Sequence, residues 1–71
     1  MSLIQVQVIR GVFTAQQKQL IIERLTDAIV EVAGEHMRPH TWCVVQEVCD
    51  GDWGIGGHVV CADDVGALAQ D

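Results

Sequence analysis

The segment Gly51-Asp52-Trp53-Gly54-Ile55-Gly56-Gly57 concentrates the most unusual side-chain pattern of the chain in seven residues. Glycine permits positive φ and lets another chain or a ligand come close to the backbone. Trp53 and Ile55 supply the bulk, and alternation puts both on one face if the segment is extended. Such a segment is an apolar wall. A titratable group set against it is desolvated, and desolvation disfavours the charged form. A tryptophan is by default a packing aromatic, and Ile55 suits either role. The glycines do not make a phosphate loop, because no Gly-Lys-Ser/Thr and no helix start follow them.

The charged residues narrow the chemistry further. Ten acids stand against four bases, for a net charge of −6. Arg10, Lys18, Arg24 and Arg38 are scattered, whereas nucleic-acid binding needs clustered bases. In an acidic protein, a base placed in a pocket is a candidate for binding a carboxylate. Arg10 follows a strand and Arg38 precedes the single proline, Pro39. Each is by default a solvated surface residue. His36, His40 and His58 show no ligand spacing with Cys43, Cys49 and Cys61, so no metal is expected. No other cofactor is expected either. Three cysteines without a CxxC read as reduced thiols, with Cys43 a small core residue. No apolar run reaches 18 residues and no signal peptide opens the chain, so a cytoplasmic protein away from the membrane is expected.

The elements that must position these groups can be read in order. Ile4, Val6 and Val8 alternate with Gln5 and Gln7, which predicts a strand over Leu3 to Ile9, ended by Arg10-Gly11. Thr14-Ala15-Gln16-Gln17 has the capping-box form, and a helix to about Ala33 follows. Ile21, Leu25, Ala28, Ile29 and Val32 are its expected apolar face, and Gly34 its stop. Glu35 to His40 reads as a polar link, with Pro39 turning Arg38 away from helix. Thr41 to Val48 reads as a strand, apolar on both faces at Trp42-Cys43-Val44-Val45. Asp50-Gly51 signals a turn. His58-Val59-Val60-Cys61 suits a strand pairing back on the glycine segment, and Asp63 or Asp64 suits the cap of a last helical turn through Leu68.

The expected class is α+β: one domain over residues 1–71, with a β-α-β unit, parallel strands and a C-terminal hairpin. With 71 residues and 49% hydrophobic residues, the chain holds more apolar surface than a single small core can hide. One helix covers one sheet face, so a homo-oligomer, a hexamer or a dimer, is expected to bury the other.

The chain resembles the 4-oxalocrotonate tautomerase family over nearly its whole length. The resemblance rests on the short opening strand and on Thr14-Ala15-Gln16-Gln17-Lys18 at the start of the helix. It rests further on Val44-Val45-Gln46-Glu47-Val48 and, most specifically, on Asp52-Trp53-Gly54-Ile55-Gly56-Gly57. It implies a cofactor-free isomerase that moves a proton between oxygen and carbon of a small enol acid such as a 2-hydroxy-dienoate. It also implies a trimer of dimers with active sites at subunit boundaries. In that family an amino-terminal proline is the general base, arginines bind the substrate carboxylates, and an aromatic residue of the glycine segment packs beside the proline. Carried over, the base position is the amine of Ser2, covered by Trp53 and Ile55.

Two positions depart from the family pattern. Ser2 stands where the proline is expected. Val12 stands where one branch has an arginine, and a second such arginine would fall near Trp42. Arg38 and Arg10 are the replacement candidates for binding substrate. A free α-amine has a pKa of about 7.7–8.0, and an apolar wall would lower it towards neutrality. A serine amine is primary and less rigid than that of proline. Met1, if retained, displaces the amine by roughly 3.3–3.6 Å. Two alternatives follow: a non-catalytic subunit of a mixed oligomer, or a native Met-Pro-Leu start overwritten during cloning. A third is other chemistry on the same fold, such as hydration-dehalogenation or decarboxylation of a 3-carbon acid.

Overall fold

Alternating β-branched residues and a well-capped helix build the framework. The computed structural model describes residues 1–69, with side chains through Val65. The elements are β1 (Ser2–Ile9), α1 (Ala15–Ala33), a 3₁₀ segment (Glu35–His40), β2 (Thr41–Val48), β3 (Trp53–Ile55), β4 (His58–Val60) and α2 (Ala62–Ala69). β1 and β2 pair in parallel, from Ser2 opposite Thr41 to Ile9 opposite Val48. Arg10 N extends this ladder by donating to Val48 O at 2.8 Å. β3 and β4 form a separate antiparallel hairpin, with Trp53 opposite Val60 and Ile55 opposite His58. The α+β class, the parallel β-α-β unit and the hairpin are as the sequence predicts.

α1 begins where its capping box places it. Gln17 N donates to Thr14 Oγ1 at 3.1 Å, and Thr14 N donates to Gln17 Oε1 at 2.9 Å. It ends at Gly34, whose φ of 104° and ψ of 152° lie in a region that only glycine occupies at low cost. Between these ends the predicted apolar face needs correction. Val30 is the buried residue of α1, whereas Val32 is 90% exposed and Ala28 is also exposed. Ile21 and Leu25 are half-buried. The true inward stripe runs through Thr26, Ile29 and Val30, so the predicted face lies partly on the flank of the helix.

Residues 35–40 are also more ordered than a polar link. They form a 3₁₀ turn that contains Pro39. Proline fixes φ near −65°, which suits 3₁₀ geometry even though it disfavours α-helix before it. Thr41 Oγ1 closes the turn by donating to Met37 O at 2.9 Å. In α2 the acids cap differently from expectation. Asp64 lies inside the first turn and reaches back, accepting from Cys61 N at 3.0 Å and from Cys61 Sγ at 3.3 Å. These bonds hold its carboxyl below the usual aspartate range. Asp50 Oδ1 accepts from Ala62 N at 3.2 Å and ties α2 to the turn after β2.

Among the described residues only Val8, Ile9 and Val30 are buried hydrophobics. The open sheet face carries Leu3 and Trp42, which are register partners, and Val44 beside Gln5. Leu3, Trp42 and Val44 are 55%, 56% and 46% exposed. β2 is therefore half-covered on its helix side and uncovered on the other, within one chain.

Gly34→Ala tests the helix stop. A Cβ there would lie 2.8 Å from His36 Cε1 and would force a side chain into a glycine-only conformation. The expected loss is about 1–3 kcal/mol, read as a lower urea midpoint with an unchanged slope.

Candidate active site

The parallel register sorts the candidate site residues to two ends of one sheet. Ser2 and Thr41 are partners at one end, and Ile9 and Val48 at the other. Seven steps of roughly 3.3 Å separate these ends by about 23 Å.

At the carboxyl end of the strands lies an apolar pocket of about 320 Å³. It is lined by Val8, Ile9, Val12, Phe13, Trp53, Ile55, Val60 and Val65. The β1–α1 turn supplies Val12 and Phe13, and the hairpin folds Trp53 and Ile55 over them. Gly11, at φ 90°, makes that turn, and Val12 N donates to Ile9 O at 3.2 Å. The apolar wall thus forms as expected, but its position within the chain differs. Trp53 and Ile55 cover the end of β1, not its beginning, because the tight turn after β2 returns the chain where β2 ends.

Arg10 belongs to this end of the sheet. It follows Ile9 directly, is exposed, and its guanidinium has no ion partner among the described residues. Nearby, Glu47 accepts from Lys18 Nζ at 3.1 Å. The Lys18 hydrogen bond is the main cause holding the Glu47 carboxyl below the usual range, and the Gly11 N–H and the charge of Arg10 add to it. Glu47 therefore ties the start of α1 to β2 through Lys18. Sequence reading did not single out Glu47, Phe13, Val8 or Ile9 as site residues. The β-strand alternation marked Val8 only as a core position, and a glutamate in a strand carries no signal of its partner.

Ser2 and Arg38 lie at the amino end of the strands. Ser2 is half-buried, and Met1, ahead of it, is 81% exposed. Arg38 precedes β2 and is already engaged. Its Nε donates to Glu35 Oε1 at 2.7 Å and its Nη1 to Asp27 Oδ1 at 2.9 Å. These carboxylates push the arginine pKa further up, and Arg38 in turn holds Glu35 below the usual range. Within one chain, then, Ser2 and Arg38 share one end, and Arg10, Trp53 and Ile55 share the other.

Among the described residues no group of three His, Cys, Asp or Glu side chains could hold a metal ion. No helix among them is long and apolar enough to cross a membrane.

Comparison with known proteins matches this architecture. Residues 3–63 match the family described as tautomerase enzyme. A solved structure from a kinetic and structural study of the 4-oxalocrotonate tautomerase isozymes of Methylibium petroleiphilum is 33% identical. The alignment covers 90% of this chain and 97% of that one, with a TM-score of 0.71. DmpI from Helicobacter pylori is 27% identical, over 99% of this chain and 96% of that one, with a TM-score of 0.63. A search of curated proteins found no match. With the same β-α-β unit, the same hairpin and a family match that spans both ends of the sheet, this chain belongs to the 4-oxalocrotonate tautomerase family.

Proposed function

We propose that the chain is a subunit of a cofactor-free tautomerase acting on a small enol acid, with its site built from two copies. The observation that carries this is the division of the site between the two ends of the β1–β2 pair. The apolar pocket of Trp53 and Ile55 and the free cation Arg10 lie about 23 Å from the amine position at Ser2. A second copy running antiparallel to the first sets the amino end of one against the carboxyl end of the other. The amine of Ser2, with Met1 removed, then enters a pocket whose walls are almost wholly apolar.

In that setting each group has a task. Desolvation by Trp53 and Ile55 lowers the amine pKa, so that the neutral form is available near pH 7 to take a proton from carbon or oxygen. Arg10 binds the carboxylate of the substrate and stabilises negative charge on the enolate formed before the amine returns the proton. Arg38 is a weaker candidate than sequence reasoning makes it, since Asp27 and Glu35 already occupy three of its five N–H donors. The site fits a small, partly apolar carboxylate in a cytoplasmic homo-oligomer.

A second reading has a specific observation in its favour. Val12 lines the pocket and Trp42 lies on the open sheet face, so both positions where the family resemblance calls for arginine are apolar. A subunit with this pattern and no amino-terminal proline would keep the fold and contribute walls to a mixed oligomer, without the base.

Ser2→Pro with Met1 removed separates the two. Proline fixes the direction of the amine and makes it secondary. A well-placed base contributes roughly 10²-fold or more, so tautomerisation of a small enol acid should rise by about that factor. Intact mass confirms that each protein starts at residue 2. If the variant folds and assembles yet stays as inactive as the parent, the non-catalytic subunit takes the lead.

The arginines give a second test in that proline background. Arg10→Ala should lower kcat/KM by roughly 10- to 150-fold, the loss of a charge-assisted bond of about 1.5–3 kcal/mol. Arg38→Ala should change kcat/KM by far less, and should instead loosen the 3₁₀ segment. The reverse order would reassign substrate binding to Arg38.

A further inference from the structure

We propose that the acid taken at this site carries one carboxylate and an uncharged alkyl or aryl tail, seated against Val12, Phe13 and Trp53, and that a second carboxylate is rejected there. Only the acid head rests on the tautomerase reading above. The tail site stands on the pocket itself.

The pocket has a floor, walls and an open rim. Val8 and Ile9, 9% and 6% exposed, are the floor, and Ile55, 62% exposed, is the rim. Every lining side chain is aliphatic or aromatic, and the indole N–H of Trp53 is the one polar side-chain group among them. The volume is about 320 Å³, whereas an apolar cavity of about 150 Å³ already holds a benzene ring. Such a space gains from each buried methylene of a ligand.

The backbone around it has little to give an anion. In the turn that carries Val12, Arg10 N donates to Val48 O at 2.8 Å and Val12 N to Ile9 O at 3.2 Å. At the head of α1 the capping box takes up Thr14 N and Gln17 N. A carboxylate pushed into the pocket loses its water and finds no charged partner, which is the costliest kind of burial.

The charges near the pocket point the same way. Lys18 is paired with Glu47, and Arg24 lines a separate groove along α1. Among the described residues this leaves Arg10 for the acid head. In the two-copy arrangement, Arg38 of the second copy arrives with Ser2, but Asp27 and Glu35 come with it. That group is net negative. Asp50, Asp52, Asp63 and Asp64 flank the hairpin and open α2 in sequence, and all four are exposed. Their field opposes a second negative charge.

Nuclear magnetic resonance titration of the full chain tests this without reference to activity. The probes are hexanoate, heptanoate and octanoate, with suberate as the diacid of octanoate's length. Trp42→Phe assigns the two indole signals. The Trp53 indole should shift, and each added methylene should tighten binding about fourfold. Suberate should bind at least about tenfold more weakly than octanoate. Val12→Arg should reverse that order, tightening suberate about tenfold through a charge-assisted bond. Ile55→Ala, at an exposed rim position, should weaken octanoate about fivefold, and it serves as the test if Val12→Arg loses its circular dichroism. Affinity independent of tail length, suberate equal to octanoate, shifts at Trp42 instead of Trp53, or octanoate binding unchanged in Ile55→Ala would each overturn the proposal. The acid series can hold while Ser2→Pro stays inactive, which leaves an apolar-acid site without a base. Ser2→Pro can gain activity while the series is flat, which leaves a tautomerase and removes the tail site.

Discussion

The parallel pairing of β1 with β2 is the constraint on which the rest of the structure depends. Parallel strands cannot be joined by a tight turn, so the chain needs a crossover, and α1 with its 3₁₀ extension is that crossover. The pairing fixes eight register partners, from Ser2 with Thr41 to Ile9 with Val48. It also fixes a polarity. The chain's start and the entry to β2 lie at one end, while the Gly11 turn and the hairpin lie at the other. No rearrangement of loops can bring Ser2 to Trp53 within the same copy.

That polarity explains why the two arginines have different fates. Arg38 enters β2 beside the end of α1, where Asp27 and Glu35 stand within reach and take three of its five donors. Arg10 leaves β1 at the opposite end, where Glu47 is already held by Lys18 and by the Gly11 N–H. One guanidinium is a structural tie between α1 and the 3₁₀ segment. The other has no ion partner among the described residues. Two arginines in similar local sequence settings acquire different chemistry from which carboxylates the fold brings near.

The small core has a parallel effect on the surface. With Val8, Ile9 and Val30 as the buried hydrophobics, much of the chain's apolar area remains on two faces. The open sheet face shows Leu3, Trp42 and Val44, and the flank of α1 shows Leu20, Ala28 and Val32. Both run along the β1–α1 direction. A domain of this size gains stability by covering such surfaces. Because α1 and β1 are locked together, covering them also sets how the two ends of the sheet meet in an assembly.

The sequence by itself determined the element types and their limits, because those follow from local chemistry. Alternation in Ile4, Val6 and Val8 makes a strand. Thr14 and Gln17 bond each other at the head of a helix, and Gly34 stops it with a backbone conformation other residues avoid. The pattern around Trp53 and Ile55 was also legible as an apolar wall and as a family signature. Tertiary structure alone decided what that wall covers, since the turn after β2 returns the chain at the carboxyl end of β1. It decided which helix face turns inward: helical period allowed either flank, and packing chose Val30 over Val32. It decided that Arg38 is engaged and Arg10 is not. A sequence lists charges but not their distances, and a single turn of the chain sets which of them become partners.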